Sequence, residues 1–152
     1  MAARELRYQW FDELAQEYNY DYILTAHHAN DVAETVLINL AQGTGLAGLT
    51  GIKSKQGMKV RPLLCLYKID IEQYAAELGI AFRADDSNND NKYKRNAIRN
   101  EVMPILEQIN PQVVQHLNNT ATYLFDVETM LEPILLKAKK QCIETHDNVV
   151  SI

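Results

Sequence analysis

A short apolar run, YILTA at residues 22–26, stands between two segments whose apolar residues recur at helical spacing. Short uninterrupted runs with β-branched residues are typical of strands that are buried on both faces of a parallel sheet. One helix is predicted over 3–18, with Asn19 at its end, and another over 31–41, with Gly43 placed to terminate it. Helix, strand and helix in this order predict an α/β fold.

The rest of the chain adds a hairpin and three helical segments, of which the first is a helix over 67–78 with Gly79 at its end. The hairpin is predicted from strands at 52–53 and 58–60. A helix over 95–109 is interrupted near Pro104, and a long helix follows from 111 towards 140. We therefore expect a mainly helical segment after the α/β part.

The composition argues against several classes of protein. The chain has 152 residues, with 15 Lys and Arg against 20 Asp and Glu, and this net charge of −5 argues against a surface that binds nucleic acid everywhere. No apolar run approaches the roughly 20 residues of a membrane span, and the charged, aromatic N-terminus is unlike a signal peptide. Cys65 and Cys142 form no CxxC pair, which argues against zinc or iron–sulfur chemistry. We expect a cytoplasmic protein that does not contact a membrane.

The densest group of chemically active residues follows the predicted strand. His27 comes directly after it, and Asp31 and Glu34 are spaced to share one side of the first turn of the next helix. Two acids and an imidazole in the crevice beyond a strand can bind a metal, hold an ammonium group or move protons. The same Asp-x-x-Glu spacing is also typical of a capping box, in which both side chains serve the helix terminus. The spacing favours capping slightly and leaves both interpretations open.

Two further groups have both a functional and a structural interpretation. Gly43, Gly45 and Gly48 match the GxGxxG spacing, but they follow a helix instead of a strand, so the pattern favours a helix terminator. Four positive residues fall within eight positions and suit phosphate oxygens, namely Lys92, Lys94, Arg95 and Arg99. The alternative for them is a solvated helix face paired with Asp90 and Glu101.

Five motifs occur in a fixed order over residues 25–106. They are His27-His28-x-x-Asp31-x-x-Glu34-Thr35, Gly43-Thr44-Gly45-Leu46-x-Gly48-Leu49, Arg61-Pro62-Leu63-Leu64, Asp85-x-Ser87-Asn88 and Arg95-Asn96-x-x-Arg99. This succession closely resembles the tRNA(Ile)-lysidine synthetase family of the PP-loop ATP pyrophosphatase superfamily.

The resemblance implies a fold and a domain organisation. Residues 1–109 would be the C-terminal part of a Rossmann-like, adenine nucleotide alpha-hydrolase-like (PP-loop) domain, which binds nucleotide and carries the catalytic residues. Residues 110–152 would be a long linker helix towards C-terminal tRNA-binding domains. The Ser-Gly-Gly-x-Asp-Ser loop of the superfamily is not in this sequence, and we expect it before Met1. The chain would then be a fragment that is inactive alone.

The resemblance also implies an activity. Enzymes of this family adenylate C2 of the wobble cytidine of tRNA(Ile) with ATP and Mg²⁺, and free L-lysine then displaces AMP to leave lysidine. The expected partners are therefore that tRNA and L-lysine, and the resemblance allows a homodimer without requiring one. The residues that it places at the site are His27, Asp31, Glu34 and Arg95 as catalytic groups; Glu34 or Asp31 for Mg²⁺; Gly43, Thr44 and Gly45 for ATP; and Asp85, Lys92, Lys94, Asn96 and Arg99 for substrate or tRNA.

The sequence departs from the family at Asn30, where a second acid is usual, and at Gln42 and Ala47, where basic residues are common. Two other functions stay open beside this one. The first is another PP-loop ATPase, such as a tRNA 2-thiolation enzyme, which would need reactive cysteines. The second is a non-catalytic helical interaction module, which would leave the order of the motifs unexplained.

Overall fold

The structure is a computed structural model that describes residues 2–81, 94–142, 144–146 and 149–151. Its helices and strands are α1 (Ala2–Glu17), β1 (Ile23–Leu24), α2 (Ala29–Ala41), α3 (Leu46–Leu49), β2 (Lys55–Gln56), β3 (Lys59–Val60), a 3-10 turn (Pro62–Cys65), α4 (Lys68–Glu77), α5 (Lys94–Ala97), a π-helical turn (Ile98–Val102), α6 (Met103–Ile109), α7 (Val113–Cys142), β4 (Glu144–His146) and β5 (Val149–Ser151). None of the helices within these ranges is long and apolar enough to cross a membrane.

A small three-stranded sheet, in the order β1-β3-β2, determines where the loops emerge. β1 runs parallel to β3, with Ile23 opposite Lys59 and Leu24 opposite Val60. β2 and β3 form an antiparallel hairpin around Gly57, whose φ of 59° suits glycine. Because β1 and β3 are parallel, the residues that follow each of them emerge at the same edge of the sheet.

The strands differ from the predictions in extent and burial. β1 is shorter than the predicted 22–26, and Leu24 is 68% exposed, so the described residues do not cover both faces of the strand. The first strand of the hairpin lies at Lys55–Gln56 instead of 52–53, because the turn at Gly57 pairs the residues directly beside it.

The core is built around α2, whose small side chains let α7 and the helix before it approach closely. One cluster joins Ala29 and Ala33 to Met103 and Val114. A second cluster joins two further α2 side chains to α7, namely Val32, Val36 and Ala121. α2 is therefore held along its length, which fixes the side chains on its remaining face.

The first two helices are terminated by the residues that the sequence predicts. Asn19, with φ 53°, follows α1, and Gly43, with φ 71°, follows α2, so both take the left-handed conformation that terminates helices. The helix predicted over 95–109 is one run with a π turn before Pro104, where the Met103 amide donates to the carbonyl of Ile98. Proline lacks an amide hydrogen and disturbs the preceding turn, so the wide turn lies where the sequence predicts an interruption.

The long C-terminal helix predicted from 111 towards 140 is present. α7 begins at Val113, contains Pro133 and ends at Cys142. β4 and β5 then pair antiparallel, with Thr145 opposite Val150. The chain is thus extended in 144–146 and 149–151, and the role of residues 110–152 as a linker stays a prediction.

Candidate active site

The first turn of α2 presents two carboxylates beside the edge of the sheet. The helix starts at Ala29, two residues before its predicted start, with His28 as its N-cap. The His28 amide donates to Asp31 Oδ2 at 3.0 Å, so one Asp31 oxygen serves the helix terminus. The capping prediction is confirmed for Asp31, at the third position of the helix, and is wrong for Glu34, whose oxygens contact arginines.

Glu34 binds two guanidinium groups that come from a distant part of the chain. Arg99 grips it bidentately, with Nε 2.6 Å from Oε1 and Nη2 2.9 Å from Oε2. Arg95 adds Nε at 2.9 Å from Oε2. Asp31 completes the cluster, with its Oδ1 3.3 Å from Arg99 Nη2 and 3.6 Å from Arg95 Nη2. These four side chains, the ionic cluster, carry two negative and two positive charges.

Burial makes the ionic cluster a fixed arrangement. The Glu34 side chain is 3% exposed and that of Arg99 is 28% exposed, which rules out the predicted solvated helix face for Arg99. The hydrogen-bonded carboxylate of Glu34 raises the pKa of Arg99, and burial opposes this effect less strongly. Arg99 therefore stays charged, and short charge-assisted bonds orient the guanidinium groups.

Arg95 borders open space together with His27. Both residues line a cavity of about 240 Å³ between α2 and the hairpin, the hairpin cavity, and another of about 410 Å³ towards α1, which Asp31 also lines. His27 Nδ1 lies 2.9 Å from the Thr25 hydroxyl, which fixes the direction of the ring. Of the residues predicted to share one crevice at the end of β1, His27 and Asp31 line the same cavity, whereas Glu34 lines neither and contacts Arg95 from behind.

The carboxylates do not resemble a metal centre. Among the described residues, no group of three or more His, Cys, Asp or Glu side chains converges. A dication at Glu34 or Asp31 would meet two guanidinium groups that already use their oxygens. Magnesium at these carboxylates stays a prediction, and the contacts argue against it.

The other predicted site residues have varied positions. Gly43, Thr44 and Gly45 are exposed and line neither cavity beside His27; Gly43 terminates α2 and Gly45 precedes α3. Their helix-terminating role is confirmed, and their binding of ATP stays a prediction. Asn96 is buried and Lys94 is exposed, whereas Asp85 and Lys92 lie outside the described residues.

Two of the departures from the family pattern have structural contacts. The Asn30 side chain accepts a hydrogen bond from the Lys68 amide at 3.0 Å, which supports the start of α4. Ala47 lines the hairpin cavity, where a basic side chain would meet Arg95. Gln42 forms the end of α2.

Arg61 is a site residue to which the sequence-based prediction assigned no role. It follows β3 directly, lies at the edge where β1 also ends, and lines the hairpin cavity. It entered that prediction only as part of the motif Arg61-Pro62-Leu63-Leu64, which contributes to the family resemblance. Its position follows from the parallel pairing of β1 with β3, which a single strand prediction does not supply.

Comparisons with known proteins identify the family of this chain. Relatives named tRNA(Ile)-lysidine synthase include one from Bacteroides thetaiotaomicron, 42% identical over 143 residues (94% of this chain, 34% of the relative), and one from Parabacteroides distasonis, 41% identical over 149 residues (98% and 34%). Another, from Francisella tularensis subsp. novicida, is 39% identical over 152 residues (97% and 38%). The chain spans about a third of the length of these curated relatives. The model of the PP-loop domain family matches residues 1–106, and the chain therefore belongs to that family.

Proposed function

We propose that this chain is part of a tRNA-modifying ligase that uses ATP to activate the wobble cytidine of tRNA(Ile) and joins L-lysine to C2. The observation that carries the proposal is Arg95, held by Glu34 and facing two cavities that also contain His27. The relatives, about 40% identical and named for this activity, support the choice of substrates.

Arg95 has the chemistry that adenylation requires. The cytidine oxygen attacks the α-phosphate of ATP, and the bond to pyrophosphate breaks as pyrophosphate leaves. This transfer develops negative charge on the phosphate oxygens. A guanidinium group that is already oriented by Glu34 stabilises this charge without having to reorganise. Arg95 Nη2 also lies near Thr35 Oγ1 and the Asp31 carbonyl, at 3.4 and 3.3 Å, so several contacts restrict it.

His27 is the proposed proton acceptor for the second step. The lysine amine must lose protons as it attacks C2 and AMP leaves. The His27 ring lines both cavities beside Arg95, where the two substrates would meet. An imidazole is a common general base in catalysis.

Asp31 and Glu34 act as positioning residues in this proposal. Their oxygens hold Arg95 and Arg99, so they compensate the charge of the arginines instead of binding the ammonium group of lysine. No step is assigned to Mg²⁺ at these carboxylates, because their contacts do not fit a metal ion.

The remaining parts of the chain fit the same proposal. Residues 1–109 would form the C-terminal part of a Rossmann-like nucleotide-binding domain, and α7 would connect it to tRNA-binding domains. Lys94, which is exposed beside Arg95, would contact the tRNA backbone. The 2-thiolation alternative lacks support, because neither cavity beside His27 is lined by a cysteine, and Cys65 lines a separate cavity with Lys55.

The test is lysine transfer by the intact protein, including any residues that precede Met1 in its reading frame. We expect labelled lysine to enter a tRNA(Ile) transcript only with ATP present, with release of AMP. A transcript with uridine at the wobble position is the matched control and should accept none. Sulfur incorporation from a thiol donor, without lysine transfer, would refute the proposal and favour 2-thiolation.

A further inference from the structure

Arg61 is a buried guanidinium without a carboxylate partner among the described residues. It is 6% exposed, and its Nη1 donates to the Lys53 carbonyl at 2.6 Å. Its Nε is buried and has no hydrogen-bond partner there. Arg95 and Arg99 differ, because each pairs with both acids of the ionic cluster. A buried charge is costly unless it is paired, so this side chain is suited to an anionic partner from outside the chain.

The hairpin cavity has the charge and the size for such a partner. Among the described residues, Lys53, Arg61 and Arg95 are its charged lining residues, and none of the described carboxylates lines it. Lys53 is already paired with Glu128 at 3.2 Å, which leaves Arg61 without a carboxylate partner in this part of the chain. The volume of about 240 Å³ is below the roughly 300–1,000 Å³ of pockets for drug-sized ligands. A small anionic group fits these properties better than a whole nucleotide.

The described residues on the other side of Arg61 do not supply a negative charge that pairs with it. It borders another cavity, whose lining includes Glu5 and Asp12. Neither of these acids makes an ion pair with Arg61 in the part of the chain that the structure describes, and Asp12 is engaged with Lys59 at 3.3 Å. The unpaired Nε is therefore explained by neither neighbour.

We propose that Arg61 and Arg95 together bind a phosphate or diphosphate group in the hairpin cavity. Guanidinium groups match phosphate oxygens through paired hydrogen bonds, which explains why an arginine stands here. This inference rests on the proposed function, which supplies two sources for the phosphate group. The group is either the diphosphate of ATP or a phosphodiester of the tRNA.

The test compares Arg61→Met with Arg61→Lys and the control Lys55→Met in the intact protein. Lys55 is exposed and lines a different cavity, so its loss removes one positive charge elsewhere. Titrations use sodium pyrophosphate and, separately, an anticodon stem-loop of tRNA(Ile), both followed by calorimetry. We expect Arg61→Met to lower the affinity for one of these ligands by about ten- to a hundredfold and Arg61→Lys to lower it less. Lys55→Met should bind both ligands like the wild type.

Thermal unfolding in phosphate-free buffer separates a binding role from a structural one. Removing an unpaired buried charge should leave the melting temperature of Arg61→Met unchanged or raised, whereas loss of a structural support for Lys53 should lower it. If this variant is unstable, Arg61→Gln, which keeps a donor for the Lys53 carbonyl, takes its place in the titrations.

The two ligands identify the source of the phosphate. Weaker pyrophosphate binding assigns the cavity to the diphosphate of ATP, and weaker stem-loop binding assigns it to the RNA backbone. Variants of Arg61 that bind both ligands like the wild type would overturn the site. These titrations need neither lysine nor turnover, so they can succeed where lysine transfer fails, and the two proposals are tested separately.

Discussion

Replacing Glu34 by glutamine (Glu34→Gln) should unfold the protein more easily, because it leaves two guanidinium groups facing one remaining acid. The net charge of the ionic cluster would change from zero to +1. Glu34 accepts three hydrogen bonds, from Arg99 Nε, Arg99 Nη2 and Arg95 Nε. An amide nitrogen in place of either oxygen would oppose at least one of these donors, so the loss is of hydrogen bonds as well as charge.

The magnitude follows from the burial of the partners. Breaking a fully buried pair costs about 3–5 kcal/mol. The arginine side chains are 35% and 28% exposed, so water recovers part of this cost, and we expect a loss of about 1.5–3 kcal/mol in the free energy of unfolding. For a protein of this size each kcal/mol lowers the melting temperature by about 2–4 °C.

The measurement is urea unfolding of the intact protein, followed by circular dichroism. Glu128→Gln is the matched control, because Glu128 pairs with Lys53, which is 46% exposed; its loss should cost at most about 1 kcal/mol. A loss below about 0.5 kcal/mol for Glu34→Gln would refute the view that the ionic cluster is a fixed, charge-compensated unit.

Two further predictions test the packing behind α2 and the role of Arg95. Gly51→Ala should lower the free energy of unfolding in urea by about 2–4 kcal/mol, because φ is +70° and the added Cβ would lie 2.8 Å from Val32 Cγ1. The control Gly57→Ala, with φ +59° and open space around the Cβ, should lower it by only about 1–2 kcal/mol. Equal losses for the two variants would contradict the packing argument. Arg95→Ala should lower kcat for lysine transfer by about 10²–10³-fold at saturating tRNA. Lys94→Ala should mainly weaken tRNA binding and reduce the salt dependence of that binding. A near-normal kcat for Arg95→Ala would exclude the catalytic role.

Local features of the fold could be predicted from the sequence, and long-range ones could not. The apolar spacing and Gly43 indicated α2, because helix periodicity and helix ends depend on neighbouring residues. The bond between Arg99 and Glu34 joins residues 65 positions apart, so no local pattern contains it. The sequence therefore identified both residues as candidates for the site but did not indicate that they contact each other.

The position of Arg61 illustrates the same limit at the candidate site. Its burial depends on β3 lying parallel to β1 and on the carbonyl of Lys53, which approaches across the hairpin. The predicted first strand of the hairpin, at 52–53, would have given Lys53 a partner in the sheet instead. Because the predicted strand lay a few residues away from its true position, the sequence did not indicate that Arg61 is buried.

Because of the π turn at Ile98–Val102, the packing of this helix depends on the number of its residues as well as on their identity. Such a turn holds one residue more than an α-helical turn. It contains Arg99 and lies between Arg95 and Met103, which packs in the core. Deleting one residue here would rotate the two halves by about 100° relative to each other. Either the arginines or Met103 would then lose their partners. Evolution along this segment is therefore expected to tolerate substitutions far better than single-residue insertions or deletions.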